Sequence, residues 1–238
     1  MIKMFQKEWH GIEFESFTTC DINNIAGQGF YDGFYNKFFN KFNCFDDLDP
    51  VWVDYKIAIA KKLIREIGNK KNILSIGCGI GIVEEHIAKK MPNTNLVVTE
   101  PSANVSRWIS GVSNIDLIDG YFPEALSKNL RFDMAFANGI DYVFNNNEYE
   151  TFLKSIVGYG IKEFVMVSVS YYRPGIKSYI KQNTKKMLNT LGLYSFGQFW
   201  GYMRTIDEQK KMLFKAGFSV VEVTFQSNDT IIIKANKL

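Results

Sequence analysis

Cysteine and histidine are scarce in this 238-residue sequence, which holds three of the first and two of the second. Cys20, Cys44 and Cys78 form no CxxC pair and cannot all be bridged, which argues against a disulfide framework and a structural zinc site and points to a reducing, cytoplasmic setting. His10 lies in a start expected to be mobile and His86 on a helix face, and no His, Asp and Cys cluster has ligand spacing, so no metal is expected. No apolar run approaches the roughly 18 residues of a membrane span, and Met1-Ile2-Lys3-Met4-Phe5-Gln6-Lys7-Glu8 lacks a signal-peptide core, so neither a membrane-embedded nor a secreted protein is expected. Charge of one sign is not in excess either: 28 Lys+Arg against 25 Asp+Glu leave +3, a weak hint of anionic partners. There is no internal repeat and no low-complexity tract. What is present is 46% hydrophobic and 15% aromatic residues, in a chain long enough to bury roughly 70% of its unfolded surface.

From Ile73 onward short apolar runs alternate with helical stretches, the pattern of a parallel sheet wrapped by helices. Strands are expected at 73–76, 95–99, 115–118, 132–137 and 164–168, with helices at 82–90, 103–110 and 148–157. Thr205-Ile206-Asp207-Glu208 is a capping box, and the helix it opens ends at Ala216-Gly217. Strands at 218–225 and 230–234, separated by Ser227-Asn228-Asp229, then form a hairpin-like pair at one edge. Earlier in the chain, Phe30, Phe34, Phe38 and Phe42 recur every four residues, so one helix carries an aromatic face. Asp49-Pro50 announces a second helix, running to Gly68. An insertion at 171–204 holds a further helix, Ser178 to Leu191, along which Lys177, Lys181, Lys185 and Lys186 form a solvated basic side.

The strongest local signal is Ile76-Gly77-Cys78-Gly79-Ile80-Gly81, directly after a strand and directly before a helix. Glycine permits a tight turn and close approach of backbone amides to a ligand, and the following helix presents unpaired N–H groups. A nucleotide-like cofactor suits that turn. A dinucleotide fingerprint needs G-x-G-x-x-G, whereas the third glycine here comes one residue early, at Gly81, which disfavours hydride transfer. Cys78 reads as a small residue that fits the turn.

With this turn the sequence resembles the class I S-adenosylmethionine-dependent methyltransferases of small-molecule type, and the resemblance extends from about Phe30 to the C-terminus. It implies a Rossmann-like α/β fold with a seven-stranded, mostly parallel sheet, one antiparallel strand, N-terminal helices and a helical insertion after the fifth strand. It also implies S-adenosylmethionine as cofactor, with S-adenosylhomocysteine as product. The cofactor residues it implies are Tyr31, Gly77, Cys78, Gly79, Gly81, Glu100, Pro101, Asp119, Gly120, Asn138 and Gly139. Glu100 would accept the ribose hydroxyls, since an ionised carboxylate has lone pairs for two donors. Asp119 matches the residue beside the adenine amino group, and Asn138-Gly139-Ile140-Asp141 the segment facing methionine and substrate. A single domain is expected, with a helical lid at 1–71, cofactor-binding repeats at 72–169, a substrate cap at 170–205 and a C-terminal helix and strand pair at 206–238.

Methyl transfer is an in-line displacement in which positioning and exclusion of water do most of the work. Asp141 is the first candidate for a base, with Tyr142 and Tyr171 as hydrogen-bonding alternatives. Substrate contacts are expected from Tyr35, Tyr172, Arg173, Trp200, Tyr202 and Arg204, the two arginines as partners for a carboxylate or phosphate. The Asn/Asp-Pro-Pro-aromatic motif of nucleic-acid amino methyltransferases is replaced by Ala137-Asn138-Gly139-Ile140, so an O or N nucleophile of a small molecule is the expected acceptor and nucleic acid is disfavoured. Alternatives are a methyltransferase acting on RNA or protein, and a non-catalytic binding module. A monomer or homodimer is expected. Of the 36 aromatic residues, 22 lie in positions 1–71 and 170–205, outside the β-α repeats, which suggests an aromatic cover over Gly77 to Gly81.

Overall fold

The computed structural model describes residues 2–102, 105–173 and 195–238, together with Thr184, Met187 and Leu191. The chain opens with β1 (Ile2–Gln6) and a small hairpin of β2 (Glu8–Trp9) and β3 (Ile12–Glu13), followed by α1 (Gln28–Lys41) and α2 (Pro50–Ile67). β4 (Asn72–Ile76), α3 (Ile82–Lys90), β5 (Asn95–Glu100), β6 (Ile115–Asp119), β7 (Met134–Asn138), α4 (Asn146–Gly158) and β8 (Glu163–Ser168) come next. β9 (Gln198–Met203), α5 (Ile206–Ala216), β10 (Phe218–Phe225) and β11 (Ile231–Lys237) complete it.

One seven-stranded sheet runs in the order β10-β11-β8-β7-β4-β5-β6. β4 to β8 are mutually parallel, and β11 alone runs against its neighbours, pairing antiparallel with β8 on one side and β10 on the other. The central strands are apolar without alternation because helices cover both faces: Ile73, Leu74, Val98, Ala135, Phe136, Phe164 and Val167 are all fully buried. On one face α2 and α3 pack Ile59, Leu63, Ile67, Val83 and Ile87 on the sheet, and on the other α4 and α5 pack Tyr149, Leu153, Ile156 and Leu213. The chain steps from β4 outward to β5 and β6, then returns to β7 on the other side of β4. That reversal opens a crevice at the carboxyl ends of β4, β5 and β7, where this class of sheet binds ligands.

Local chemistry sets the helix ends. Asp49 accepts from Val51 N at 2.9 Å ahead of Pro50, and Gly68 closes α2 at φ 56°. At α5 the Thr205 hydroxyl accepts from Glu208 N while the Glu208 carboxylate accepts from Thr205 N, the reciprocal cap expected there. A second such box, Asn145 with Glu148, starts α4 two residues before the expected position.

Three expectations need correction. The stretch expected to be helical at 103–110 has only a 3-10 turn, Arg107–Ile109, among its described residues. Ser110 Oγ donates to Arg107 O at 2.7 Å and Gly111 turns left-handed at φ 88°, which ends the helix. Residues 2–13 are not helical: β1 pairs antiparallel with β9 in a two-stranded ribbon, Ile2 opposite Met203 and Gln6 opposite Gln198, and β2–β3 fold back beside it. His10 is no free end. It sits at the hairpin tip with its ring 4.7 Å from Trp52 and 5.5 Å from Phe38, and burial with nearby Lys56 and Lys41 lowers its pKa to about 4. The helix expected over Ser178 to Leu191, with its lysine side, lies outside the described residues.

Candidate functional site

The turn leaving β4 carries the site. Gly77, Gly79 and Gly81 take φ values of 71°, 55° and 81°, which a side chain would strain. Each answers a different need. A Cβ on Gly77 would stand 2.7 Å from Ile140 Cγ2 and one on Gly81 2.6 Å from Ile109 Cδ1, so these two let neighbouring segments close in. A Cβ on Gly79 would meet only the Tyr35 hydroxyl, at 3.6 Å, because Gly79 faces open space.

That space is a cavity of about 1200 Å³. Gly77, Cys78 and Gly79 form its floor, with Glu100 and Pro101 from the end of β5, Gly120 after β6, and Asn138 and Gly139 at the end of β7. Tyr31 and Tyr35 of α1, Tyr142 after β7 and Trp200 of β9 wall it from above. Trp200 stacks on Tyr142 at 6.2 Å and on Phe14 at 5.2 Å, and lies 5.7 Å from Tyr31, so the cover is one continuous aromatic cluster. Gly201 makes this possible, since a Cβ there would lie 2.6 Å from the Tyr142 carbonyl.

Glu100 is 7% exposed and reaches across to the turn. Its Oε2 accepts from Gly79 N at 2.7 Å and its Oε1 from Ser102 N at 3.0 Å. Burial raises its pKa, opposed by those two N–H donors. Burial also holds the Tyr31 and Tyr35 phenols well above their usual range and pushes Tyr142 up to about 12, so all three remain protonated near neutrality. The Tyr31 hydroxyl lies against that of Tyr142, and Asn138 Oδ1 is buried without a hydrogen-bond partner among the described residues. The Cys78 thiol is pushed well above its usual range by burial, the condition of an inert thiol.

The structure separates the remaining candidates from this cavity. Asp141 is fully buried: its Oδ2 accepts from Ser168 Oγ at 2.6 Å, Gln209 Nε2 at 2.7 Å and Ser170 Oγ at 3.3 Å, and it does not line the cavity. Arg204 is likewise fully buried, donating to the carbonyls of Asp141 at 2.7 Å and Phe144 at 2.6 Å and lying 4.7 Å over the Tyr149 ring. Tyr171 bridges to Arg204 and packs on Phe225, Tyr172 N bonds Arg204 O, and Tyr202 packs edge-on against Phe199. Arg173 is exposed. Asp119 pairs with Glu100 in the sheet, is exposed and does not line the cavity, though its charge helps to raise the pKa of Glu100, and Gly81 serves packing. Residues absent from the sequence reading also line the cavity: Met4, Gln6 and Trp9 from the N-terminal strands, Trp52, Tyr55 and Lys56 of α2, and Thr230 before β11. Lys56 carried a readable signal, since it lies on the same helical stripe as Trp52, Ala60 and Leu63.

Beneath Lys56, Glu84 of α3 is 1% exposed, with Oε1 accepting from Ser75 Oγ at 2.6 Å. Burial raises its pKa from 4.5 to about 7. The native state therefore keeps a proton that the unfolded chain releases, and the stability this contributes is full below about pH 4.5 and lost as pH rises through about 7. Glu84→Gln is expected to flatten the fall in urea-unfolding midpoint over that window. An unchanged slope would assign the pH dependence to other groups.

No protein-family model matches the sequence, and no curated protein matches it. Among solved structures, the mitomycin 7-O-methyltransferase MmcR aligns with a TM-score of 0.62 at 13% identity, covering 88% of this chain and 57% of that one. Human N-acetylserotonin methyltransferase in complex with SAM aligns at 0.59 and 16% identity, covering 89% and 56%. Magnesium protoporphyrin IX methyltransferase (ChlM) from Synechocystis PCC 6803, with bound SAH, aligns at 0.60 and 11% identity, covering 88% and 94%. The chain thus spans somewhat more than half the length of the first two and nearly all of the third. Its fold is the one these methyltransferases share.

Proposed function

We propose that the chain is an S-adenosylmethionine-dependent methyltransferase that transfers a methyl group to an oxygen or nitrogen of a small molecule. The observation that carries this reading is the left-handed glycine turn after β4, held by the Glu100 carboxylate on Gly79 N, opening into an aromatic-walled cavity. The residues fit the cofactor: Gly79 leaves an uncovered cradle, the α3 N-terminus follows it, and Glu100 stands beside both. When bound, S-adenosylmethionine supplies an electrophilic methyl on a sulfonium.

Glu100 would hold the ribose hydroxyls, each of its oxygens having a lone pair beyond the backbone N–H it already accepts. Gly77 to Gly79 would lie against the methionine part. Tyr31, Tyr35, Tyr142 and Trp200 exclude water and offer ring faces to a cation. Their phenols, being protonated, orient an acceptor by donating hydrogen bonds rather than by taking its proton. Asp141 and Arg204, bound to each other's surroundings away from the cavity, are better explained as scaffold. The aromatic-walled cavity favours a small acceptor over RNA or protein. Free Cys20, Cys44 and Cys78 suit a cytoplasmic enzyme, acting as one domain in a monomer or homodimer.

The test is thermal stabilisation by S-adenosylmethionine and S-adenosylhomocysteine, where ligand at about 100 times its Kd should add roughly 2.7 kcal/mol. No shift with either ligand would sink the reading. Glu100→Ala is expected to weaken S-adenosylhomocysteine binding by at least about ten-fold in calorimetric titration, the loss of a charged hydrogen-bond acceptor.

A further inference from the structure

Among the described residues lining the cavity, Lys56 is the one basic side chain, against the acidic Asp49, Glu100, Glu124, Glu148 and Asp229. It stands on α2 in the lining of the same cavity as the glycine turn, its ammonium 5.4 Å from the centre of the Trp52 ring and 5.8 Å from that of Tyr55. Tyr55 is in turn pinned to the start of β11 by a 2.7 Å hydrogen bond between its hydroxyl and Thr230 Oγ1. Lys56 makes no hydrogen bond or ion pair among the described residues, yet its nitrogen is not sealed off as the unpartnered buried atoms are. A cation in that position has lost much of its water without gaining a counter-charge in contact, an unfavourable state that a ligand anion would relieve.

We propose that Lys56 is the anchor of a carboxylate subsite in the cavity, with Trp52 and Tyr55 as its rigid walls. The proposal rests on the methyltransferase reading and adds to it the anionic group that the bound molecules must present. A carboxylate fits this point because the ammonium is compact and offers three donors. Two molecules can supply it: the methionine carboxylate of the cofactor, or an acidic acceptor bound beside it. Burial lowers Lys56 to about 8 and raises Glu84 behind it to about 7, each shift being opposed by the other's charge. Asp49 is occupied as a helix cap and Asp229 by the Ser227 hydroxyl, and His10, packed edge-on against Trp52, has its pKa lowered to about 4 by burial and by Lys56 itself.

Calorimetric titration of the full chain tests this with two matched pairs of probes. One pair is S-adenosylhomocysteine and its decarboxylated analogue; the other is 4-hydroxybenzoate and phenol, added to protein with and without saturating S-adenosylhomocysteine. In the wild-type protein the carboxylate member of at least one pair should bind ten-fold or more tighter, and Lys56→Met should abolish that preference while leaving the partner lacking the carboxylate unaffected. Lys56→Arg should restore part of it. A preference confined to the first pair assigns the carboxylate to the cofactor, and one confined to the second assigns it to the acceptor. Equal affinities within both pairs in the wild-type protein overturn the proposal without any variant, as does a folded Lys56→Met protein that keeps the preference. If the wild-type protein binds neither adenosyl ligand, the cofactor reading fails, while the 4-hydroxybenzoate pair on the free protein still reads Lys56.

Discussion

Asp141→Ala is expected to lower the free energy of unfolding by about 3–5 kcal/mol, the cost of removing one partner from a buried charged network. Three donors converge on its Oδ2, from Ser168, Ser170 and Gln209, and all three would be left without that acceptor in a dry interior. Arg204 would lose the nearby negative charge that offsets its own burial. Through these contacts the residue ties the segment after β7 to β8 and α5, with Tyr149 Oη donating to Gln209 Oε1 at 2.8 Å to close the ring. Urea unfolding measures the loss. Asp141→Asn, which keeps an acceptor of the same shape, should lose less. A change below about 1 kcal/mol for Asp141→Ala, with methyl transfer abolished, would return the residue to a catalytic role.

Gly79→Val is expected to reduce binding of S-adenosylhomocysteine by more than about 100-fold. Two effects combine: a β-branched residue is strained at φ 55°, and its side chain would enter the space over the turn that faces the cavity. Gly160 provides the control, since at φ 89° it carries the same backbone demand with nothing within 4 Å of an added Cβ and no part in the cavity. Gly160→Val should be destabilised comparably and still bind. Gly79→Val that folds and binds normally would move the site elsewhere.

The sheet was legible because its signals are local. Short runs holding three to five apolar residues between glycine or polar breaks marked β4 to β8, and a capping box and a Ser-Asn-Asp turn framed α5, β10 and β11. The glycine turn and Glu100 were legible for the same reason, being set within one strand-helix-strand passage. What escaped depends on partners far away in the chain. β1 has no strong alternation of its own and becomes a strand because β9, nearly two hundred residues later, supplies its hydrogen bonds. Asp141 and Arg204 looked like reactive groups because an acid after a strand and an arginine beside an insertion carry no mark of burial; only the assembled layers show that Arg204 faces the Asp141 backbone, and the Asp141 carboxylate the side chains of Ser168, Ser170 and Gln209, rather than the cavity. Lys56 shows the converse case, a charge on an otherwise buried stripe of α2 that is easily passed over as a solvated residue.

The ribbon of β1 and β9 has a further consequence for how the molecule assembles. Its two halves can meet only after the intervening sheet has brought them within reach, since joining segments so distant before then would carry the full entropy of closing a very long loop. Phe199 also bonds back to Asp21 and Ala26, so the same late event fastens the approach to α1. The roof over the glycine turn therefore rests on pairings across nearly the whole length of the chain, whereas the cradle beneath it is set within one strand-helix-strand passage, so a substitution in β1 or β9 should loosen the chamber before it disturbs the turn.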